Sequence, residues 1–358
     1  MKILHVTEAV PGGTATYLNA LLPWQRRTLG EGRVGLVYPL SDAATLSAEV
    51  RDSITLFGYP RSGRDLRSLL TLRKTLASAS REFAPQLIHA HNSFAGAITR
   101  TRTTLPVVYT PHGWAFSRTG STAARRIYSL VESMLARRTA AIVAVSADEQ
   151  RSAIAAGIPA SRLHRILSGL PDQADAPRQL SGGTTGPLRL LFVGRFDRQK
   201  GLDWLIEALR PLGTDVRLTA LGAPRVDGSA LPRADGVEFP GWVDAAALNG
   251  YLDAADALVV PSRWEAFGLV AVEAMRRGVP VIASRCGGLP EVVADSETGL
   301  LFDLENPQAF RDMLLGLDRQ RLATMGQRGR ERYLRLFTAD RMCREMQAVY
   351  QSVVPRGP

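Results

Sequence analysis

The chain has 358 residues, 45% of them hydrophobic, with a mean hydropathy of −0.04 and a net charge of +10. That is enough chain for two domains with buried cores, and its composition is that of a globular protein rather than a fibrous or disordered one. No uninterrupted apolar run approaches the ~18 residues of a membrane span, and two cysteines, Cys286 and Cys343, are too few for a disulfide framework or a cysteine metal cage.

The opening MKILHVTEAVPGG has an apolar stretch of only about four residues before Glu8, too short for a secretory leader. It reads as a strand followed by a turn, and a cytoplasmic location is expected. Short β-branched runs then alternate with longer helical patterns. In the first half they are ILHVT (3–7), VGLVY (34–38), ITLF (54–57), LIHA (87–90), VVYT (107–110) and AIVAV (141–145). In the second half they are LRLLFVG (188–194), VRLTALG (216–222), VEFPG (237–241), ALVVPS (257–262), VPVIAS (279–284) and GLLF (299–302). Buried runs alternating with helices predict parallel sheets built from βαβ units. The stretch 171–187, PDQADAPRQLSGGTTGP, lacks apolar periodicity and reads as a linker. The expected organisation is therefore α/β: two Rossmann-like domains, 1–170 and 188–338, facing across a cleft, with a helix in 339–358 packing back toward the first.

The charge is divided unevenly. Residues 1–170 hold 21 Lys and Arg against 10 Asp and Glu, and residues 171–358 hold 23 against 24. The excess of positive charge in the first half suits an anionic partner or surface. The basic segments there are RSGRDLRSLLTLRK (61–74) and TAARRIYSLVESMLARR (122–138), the second with Ile127, Leu130, Val131, Met134 and Leu135 at helical spacing. They are read equally as helices packed on the core with charged outer faces, or as a docking face for the anionic inner membrane surface. No nucleic-acid reader motif accompanies the charge.

Ligands of open α/β sheets bind beyond the carboxyl ends of the strands. After LLFVG, Arg195 and Lys200 offer a fork and a point charge to a diphosphate, although solvated loop charge is the commoner fate of such residues. After ALVVPS come Glu265, the turn residue Gly268 and a helix expected from about Leu269 to Arg277; its first N–H groups, on Gly268, Leu269 and Val270, can face an anion. Glu265 and Glu273 lie eight residues apart, one in the loop and one a turn into the helix, so they are not a pair on one helix face. Taken alone, that spacing is equally that of two surface carboxylates. Gly12 and Gly13 form a flexible turn after the first strand, and His112 follows another strand end beside Trp114. His89 and His91 are expected to alternate, with His91 facing the cleft. The histidine spacing gives no support to zinc.

The ordered set GGTATYL, HAHNSFAG, TPHGWAF, VGRFDRQKG, GWV, PSRWEAFGLVAVEAM and CGGLPEVV resembles the retaining, nucleotide-sugar-dependent glycosyltransferases of the GT-B fold, the family 4-like or group 1 enzymes. The resemblance runs from Met1 to about Phe337. It implies a metal-free diphosphate clamp of Arg195 and Lys200, with Glu265 on the donor sugar and His112 contacting it, as the catalytic set. It implies donor contacts at Gly13, Gly222, Trp242, Val243, Ser262, Phe267, Gly268, Leu269, Val270 and at Glu273, the last on the ribose. Thr14, Tyr17, His91, Asn92 and Trp114 fall on the acceptor side. No cofactor is implied beyond the donor itself, and no D-x-D occurs to hold a bridging metal. A UDP-sugar is favoured over GDP-mannose, with a glycan or lipid-linked acceptor and a role in bacterial polysaccharide assembly. An epimerase of the same fold and a catalytically silent sugar-nucleotide-binding module remain the alternatives. Ser168, in ILSGLPD, stands where relatives often have asparagine.

Overall fold

In the computed structural model, residues 1–63, 65–117, 121–173, 186–223 and 236–354 are described; most of the linker, residues 174–185, and Arg64 of the basic 61–74 segment lie outside them. Contacts divide the chain into two units, 1–171 with the segment from Thr338 onward, and Asp172–Phe337.

The first unit is built on seven strands: β1 (Ile3–Thr7), β2 (Val34–Pro39), β3 (Thr55–Tyr59), β4 (Leu87–His91), β5 (Val107–Thr110), β6 (Ala141–Ala144) and β7 (Leu163–Arg165). They pair in parallel in the order β3-β2-β1-β4-β5-β6-β7. Every residue of β1, β2, β4, β5 and β6 is buried, because helices cover both faces of the sheet, and continuous apolar runs are what such strands require. The edge strand β3 is only partly covered. The other edge, β7, has a single buried residue in three and gave no apolar run to read in the sequence. The last helix, Ala339–Val353, joins this unit, packing Met342, Cys343, Met346 and Tyr350 with Tyr17 and Leu21 of the Gly13–Leu29 helix. Its entry is fixed by a backbone crossing: Leu170 bridges Thr338, and a Cβ on Gly169 would collide with the Thr338 carbonyl, so only glycine fits there.

In the second unit β8 (Leu188–Val193), β9 (Val216–Leu221), β10 (Val237–Gly241), β11 (Ala257–Val260), β12 (Val281–Ser284) and β13 (Gly299–Phe302) form a parallel sheet in the order β10-β9-β8-β11-β12-β13. Asp172 belongs here, paired with Arg330 at 2.6 Å. Both sheets reverse their strand order between the first strand and its later neighbour, β1/β4 and β8/β11. These switch points open crevices at the strands' carboxyl ends.

One buried ion pair anchors the basic helix Thr122–Ala136. Arg100, 2% exposed, donates to Glu132 at 2.8 Å and lies 3.9 Å over the Tyr109 ring, whose hydroxyl also donates to Glu132. Removing one partner strands the other charge in a dry site, which costs about 3–5 kcal/mol. Urea unfolding of Glu132→Ala should show a loss of that size, with most of it recovered in the Arg100→Met/Glu132→Leu double variant. Equal losses in both would show that the helix is not held by this pair.

Candidate active site

Many helix starts carry side-chain caps, while those at the switch points do not. The starts at Leu66, Thr122, Ala147, Ala245, Pro307 and Arg319 are capped by the side chains of Asp65, Ser121, Ser146, Asp244, Asn306 and Asp318. The helices leaving the switch-point strands start instead on Gly12, Asn92, Gly201 and Gly268, all at positive φ and none capping with its own side chain. Glu8 reaches across to accept from the Ala95 N–H of the Ser93–Arg102 helix, occupying that end. At the Gly201 start the Asp203 carboxylate accepts the backbone N–H groups of Asp203 and Trp204, so that end too is partly occupied, whereas the Gly12 and Gly268 starts keep first-turn donors for an anion.

In the second unit, Lys200 follows β8 and Glu265 follows β11, and the fold brings their side chains to 2.5 Å, both half-buried. Ser262, fully buried, donates to the same Glu265 oxygen at 3.4 Å. Arg195 is exposed and held by Asp197 at 2.9 Å and Gln199 at 3.0 Å, so the clamp residues stand on one loop with different partners. Glycines make the approach possible. At Gly201 a Cβ would collide with the Pro261 carbonyl, and at Gly287 with the Glu265 carbonyl, whose oxygen also accepts the Gly288 N–H at 3.0 Å. The CGG turn is thus the clamp on the Glu265 loop, a role that its sequence did not announce.

The Leu269–Arg276 helix begins where expected and ends one residue earlier. Ala271 and Val272 donate back to the Gly268 carbonyl, leaving the Leu269 and Val270 N–H groups open. Phe267 turns inward, 3% exposed, edge-on to Phe337, so its side chain serves packing. Glu273 is half-buried and accepts no hydrogen bond from a described residue; burial pushes its carboxyl up to about 7. Gly222, φ 146°, donates to the Gly241 carbonyl at 2.9 Å and passes so close to Gly194 that a Cβ would collide with its carbonyl. Trp242 and Val243 follow directly; Trp242 is 72% exposed, a free aromatic face beyond the ends of β9 and β10.

In the first unit the structure corrects several acceptor-side expectations. Trp114 is 1% exposed with its indole N–H on the Glu149 carbonyl, a core residue rather than a substrate contact. Tyr17 and His91 are likewise enclosed and cannot touch an acceptor directly. Asn92 braces the β1 loop, donating to Thr7 Oγ1 and the Ala9 carbonyl at 3.0 Å each, and Thr14 meets its Oδ1 at 3.5 Å. Gly13 opens the Gly13–Leu29 helix beside it.

The expected alternation of His89 and His91 is also wrong. Residues two apart on a strand share a face, and their rings lie 4.0 Å apart, with His5 of the neighbouring strand in register with His89. Nitrogens of His5, His89 and His91 come within 4.8 Å of one another, a cluster that sequence spacing could not show because it joins two strands. All six of these nitrogens already have hydrogen-bond partners. His5 meets His91 and Gln25, His91 meets His112, and His89 meets Tyr350 and Thr110. His112 is half-buried at φ 52°, and the turn that follows it is fixed by the Glu149 carboxylate, which accepts from the Gly113 N–H at 2.6 Å and from the Val145 N–H at 2.7 Å. One sequence signal was missed: Gln25 occupies the i+7 core position of Leu18, Leu21 and Leu22, where a polar residue needs a buried partner.

Burial lowers the pKa of all four rings: His112 to about 3, His5 to about 4, and His89 and His91 well below their ordinary value. In the unfolded chain they protonate near ~6.5. Their contribution to stability is therefore complete above that pH and is lost as pH falls through it toward the folded values. Glu149 and Glu273, both raised to about 7 by burial, act oppositely, stabilising at low pH and losing that contribution as pH rises through 7. Four groups against two leave a net uptake of about two protons on unfolding near pH ~5.5. Urea midpoints should fall steadily from pH 6.5 to 5; a flat profile would mean that the rings are not held neutral.

Comparison with known proteins agrees with this geometry. The Glycosyl transferase 4-like domain model matches residues 12–169 and the Glycosyl transferases group 1 model matches residues 187–319. A 41.2 kDa Klebsiella pneumoniae protein from the cps region is 32% identical over 86% of this chain and 87% of its own. D-inositol 3-phosphate glycosyltransferase of Xylanimonas cellulosilytica is 30% identical over 76% of this chain and 73% of its own. Among solved structures, Anabaena HepE in complex with UDP superposes with a TM-score of 0.80 at 22% identity, covering 98% of this chain and 100% of that one. Sucrose-phosphate synthase from Thermosynechococcus elongatus gives 0.79 at 23% identity, covering 98% and 99%. With both halves matched by family models and both sheets in the matching fold, this chain belongs to the glycosyltransferases of the GT-B fold.

Proposed function

We propose that this glycosyltransferase moves a sugar, with retention of configuration and without a metal ion, from a nucleoside-diphosphate sugar to a glycan or lipid-linked acceptor. UDP-sugars come first among donors and GDP-mannose next. The observation that carries the reading is the Lys200–Glu265 pair at the β8/β11 switch point, beside the uncapped helix start at Gly268. A cation and the Gly268 helix N-terminus supply positive charge for a leaving diphosphate, and Arg195 on the same loop adds a fork. Glu265 is ready to exchange Lys200 for a sugar hydroxyl. Glu273, which accepts no hydrogen bond from a described residue, suits the ribose diol, and the exposed Trp242 suits a base. Anabaena HepE, of the same fold, was solved with UDP and with UDP-glucose, which favours uridine.

A thermal-shift series with UDP, GDP, ADP and their sugars should show one diphosphate raising Tm by several degrees, unchanged by EDTA. With the matching sugar, Lys200→Ala and Glu265→Ala should lower turnover by about 10²-fold or more, and NMR of the product should show the donor's anomeric configuration. Turnover within a fewfold of wild type would remove these residues from the mechanism. Product formed without an acceptor would favour the epimerase.

The acceptor reading rests on the Thr122–Ala136 helix. Its inward face is Glu132 and Ala136, while Ile127 (62%), Leu130 (61%), Val131 (37%) and Met134 (54%) form an exposed apolar stripe between exposed Arg125–Arg126 and Arg137–Arg138. Core packing, one of the two sequence expectations for this helix, does not account for that stripe. An anionic bilayer surface matches both its apolar and its cationic parts, at about 1 kcal/mol per arginine. No helix among the described residues is long and apolar enough to cross a membrane. Co-sedimentation with phosphatidylglycerol vesicles should exceed that with phosphatidylcholine at low salt and drop in Ile127→Asp/Leu130→Asp; equal binding to both lipids would reject the membrane reading.

A further inference from the structure

Four of the five histidines sit in one hydrogen-bonded chain, and a neutral imidazole has one donor nitrogen and one acceptor nitrogen. The direction of every bond then follows from one end. The Gln25 amide, 1% exposed, donates through Nε2 to the Tyr350 hydroxyl at 3.2 Å and turns its carbonyl oxygen to His5 Nε2 at 2.8 Å. An amide oxygen can only accept, so His5 carries its proton on Nε2. Its Nδ1, 3.0 Å from His91 Nε2, must accept, which places the His91 proton on Nε2. His91 Nδ1 accepts in turn from His112 Nε2 at 3.0 Å. His112, the half-buried end of the chain, is left with a bare Nδ1 that no described residue contacts. On the other branch the Tyr350 hydroxyl, accepting from Gln25, gives its own proton to His89 Nδ1 at 2.6 Å, and His89 Nε2 donates to Thr110 at 2.8 Å.

We propose that Gln25, His5 and His91 are positioning residues that fix His112 as its Nε2–H tautomer, so that its Nδ1 is a permanent acceptor for a sugar hydroxyl of the substrate. The tautomer follows from the chain alone; the substrate contact rests on the glycosyltransfer reading above. Stacking against His91, ring centroids 5.3 Å apart, and the edge of Tyr17 at 4.8 Å hold the ring plane, so orientation and protonation are set together. Rotating the Gln25 amide by half a turn reverses every bond and leaves Nδ1–H on His112, converting the acceptor to a donor. A glutamate at position 25 accepts without donating and preserves the His5–His91–His112 direction. A methionine of similar shape removes the anchor.

Long-range ¹H–¹⁵N correlation on the full chain labelled with ¹⁵N-histidine reads each tautomer without substrate, with His164, outside the chain, as internal reference. Wild type should show Nε2–H on His5, His89, His91 and His112 at pH 7. Gln25→Glu should keep it on His5, His91 and His112, and Gln25→Met should populate Nδ1–H on His112. In steady-state kinetics with the donor identified by the nucleotide series, Gln25→Met should lose about tenfold in kcat with KM little changed, the effect of one misdirected hydrogen bond, and Gln25→Glu should restore it to within a fewfold. Nδ1–H on His112 in wild type overturns the direction of the chain. An altered His112 tautomer with unaltered kcat overturns the positioning role. Absence of turnover by wild type with every donor would instead defeat the glycosyltransfer reading and leave the tautomer result intact.

Discussion

Both sheets are parallel and covered by helices on both faces, and most of what this protein places where it does follows from that constraint. A strand enclosed on two sides presents no side chain to solvent, so side chains that meet substrate are displaced to the loops beyond its carboxyl end. The loops after β8 and β11 bring Lys200 to Glu265 for this reason. The close passes that permit it, at Gly201, Gly222 and Gly287, occur where two such loops cross and a Cβ would meet a carbonyl. Glycine there is a geometric requirement of the crevice.

The two units meet the cost of burying polarity in different ways. In the second, the charged groups of the candidate site, Arg195, Lys200 and Glu265, stay exposed or half-buried with polar or oppositely charged partners, and water and ligand can share the work of solvating them. In the first, besides the Arg100–Glu132 pair, polarity is carried inside the sheet layer on β1 and β4 and just past the end of β5, as neutral rings. Neutrality is what makes this tolerable: an imidazolium in the same place would carry a desolvation penalty with no anion to offset it, whereas a chain of neutral rings satisfies each donor with an acceptor. The price is sensitivity to acid rather than to salt.

The exposed stripe on the Thr122–Ala136 helix shows a further division of labour. Arg100 and Glu132 hold the helix from beneath, so its outer apolar residues are not needed for its attachment. A helix so anchored can present Ile127 and Leu130 outward without loosening the fold.

Twelve strands, the two-domain α/β class and the loop positions of Arg195, Lys200, Glu265 and Gly268 were legible in the sequence, because an apolar run bounded by turns is a local signal and ligand loops follow strands by rule. The three-residue strand β7 was not legible, since an edge strand buries too little to leave a pattern. Nor was the inward turn of Trp114 or the stripe left bare on the basic helix: periodicity locates an apolar face and says nothing about what covers it. The histidine chain is the clearest case. His5, His89, His91, His112, Gln25 and Tyr350 come from six places in the chain, and each alone reads as an ordinary residue. The sequence by itself determined which segments become strands and which loops carry charge. Only the tertiary structure decided which side chains meet, because strand register and the packing of the last helix bring together residues more than three hundred positions apart, such as Gln25 and Tyr350.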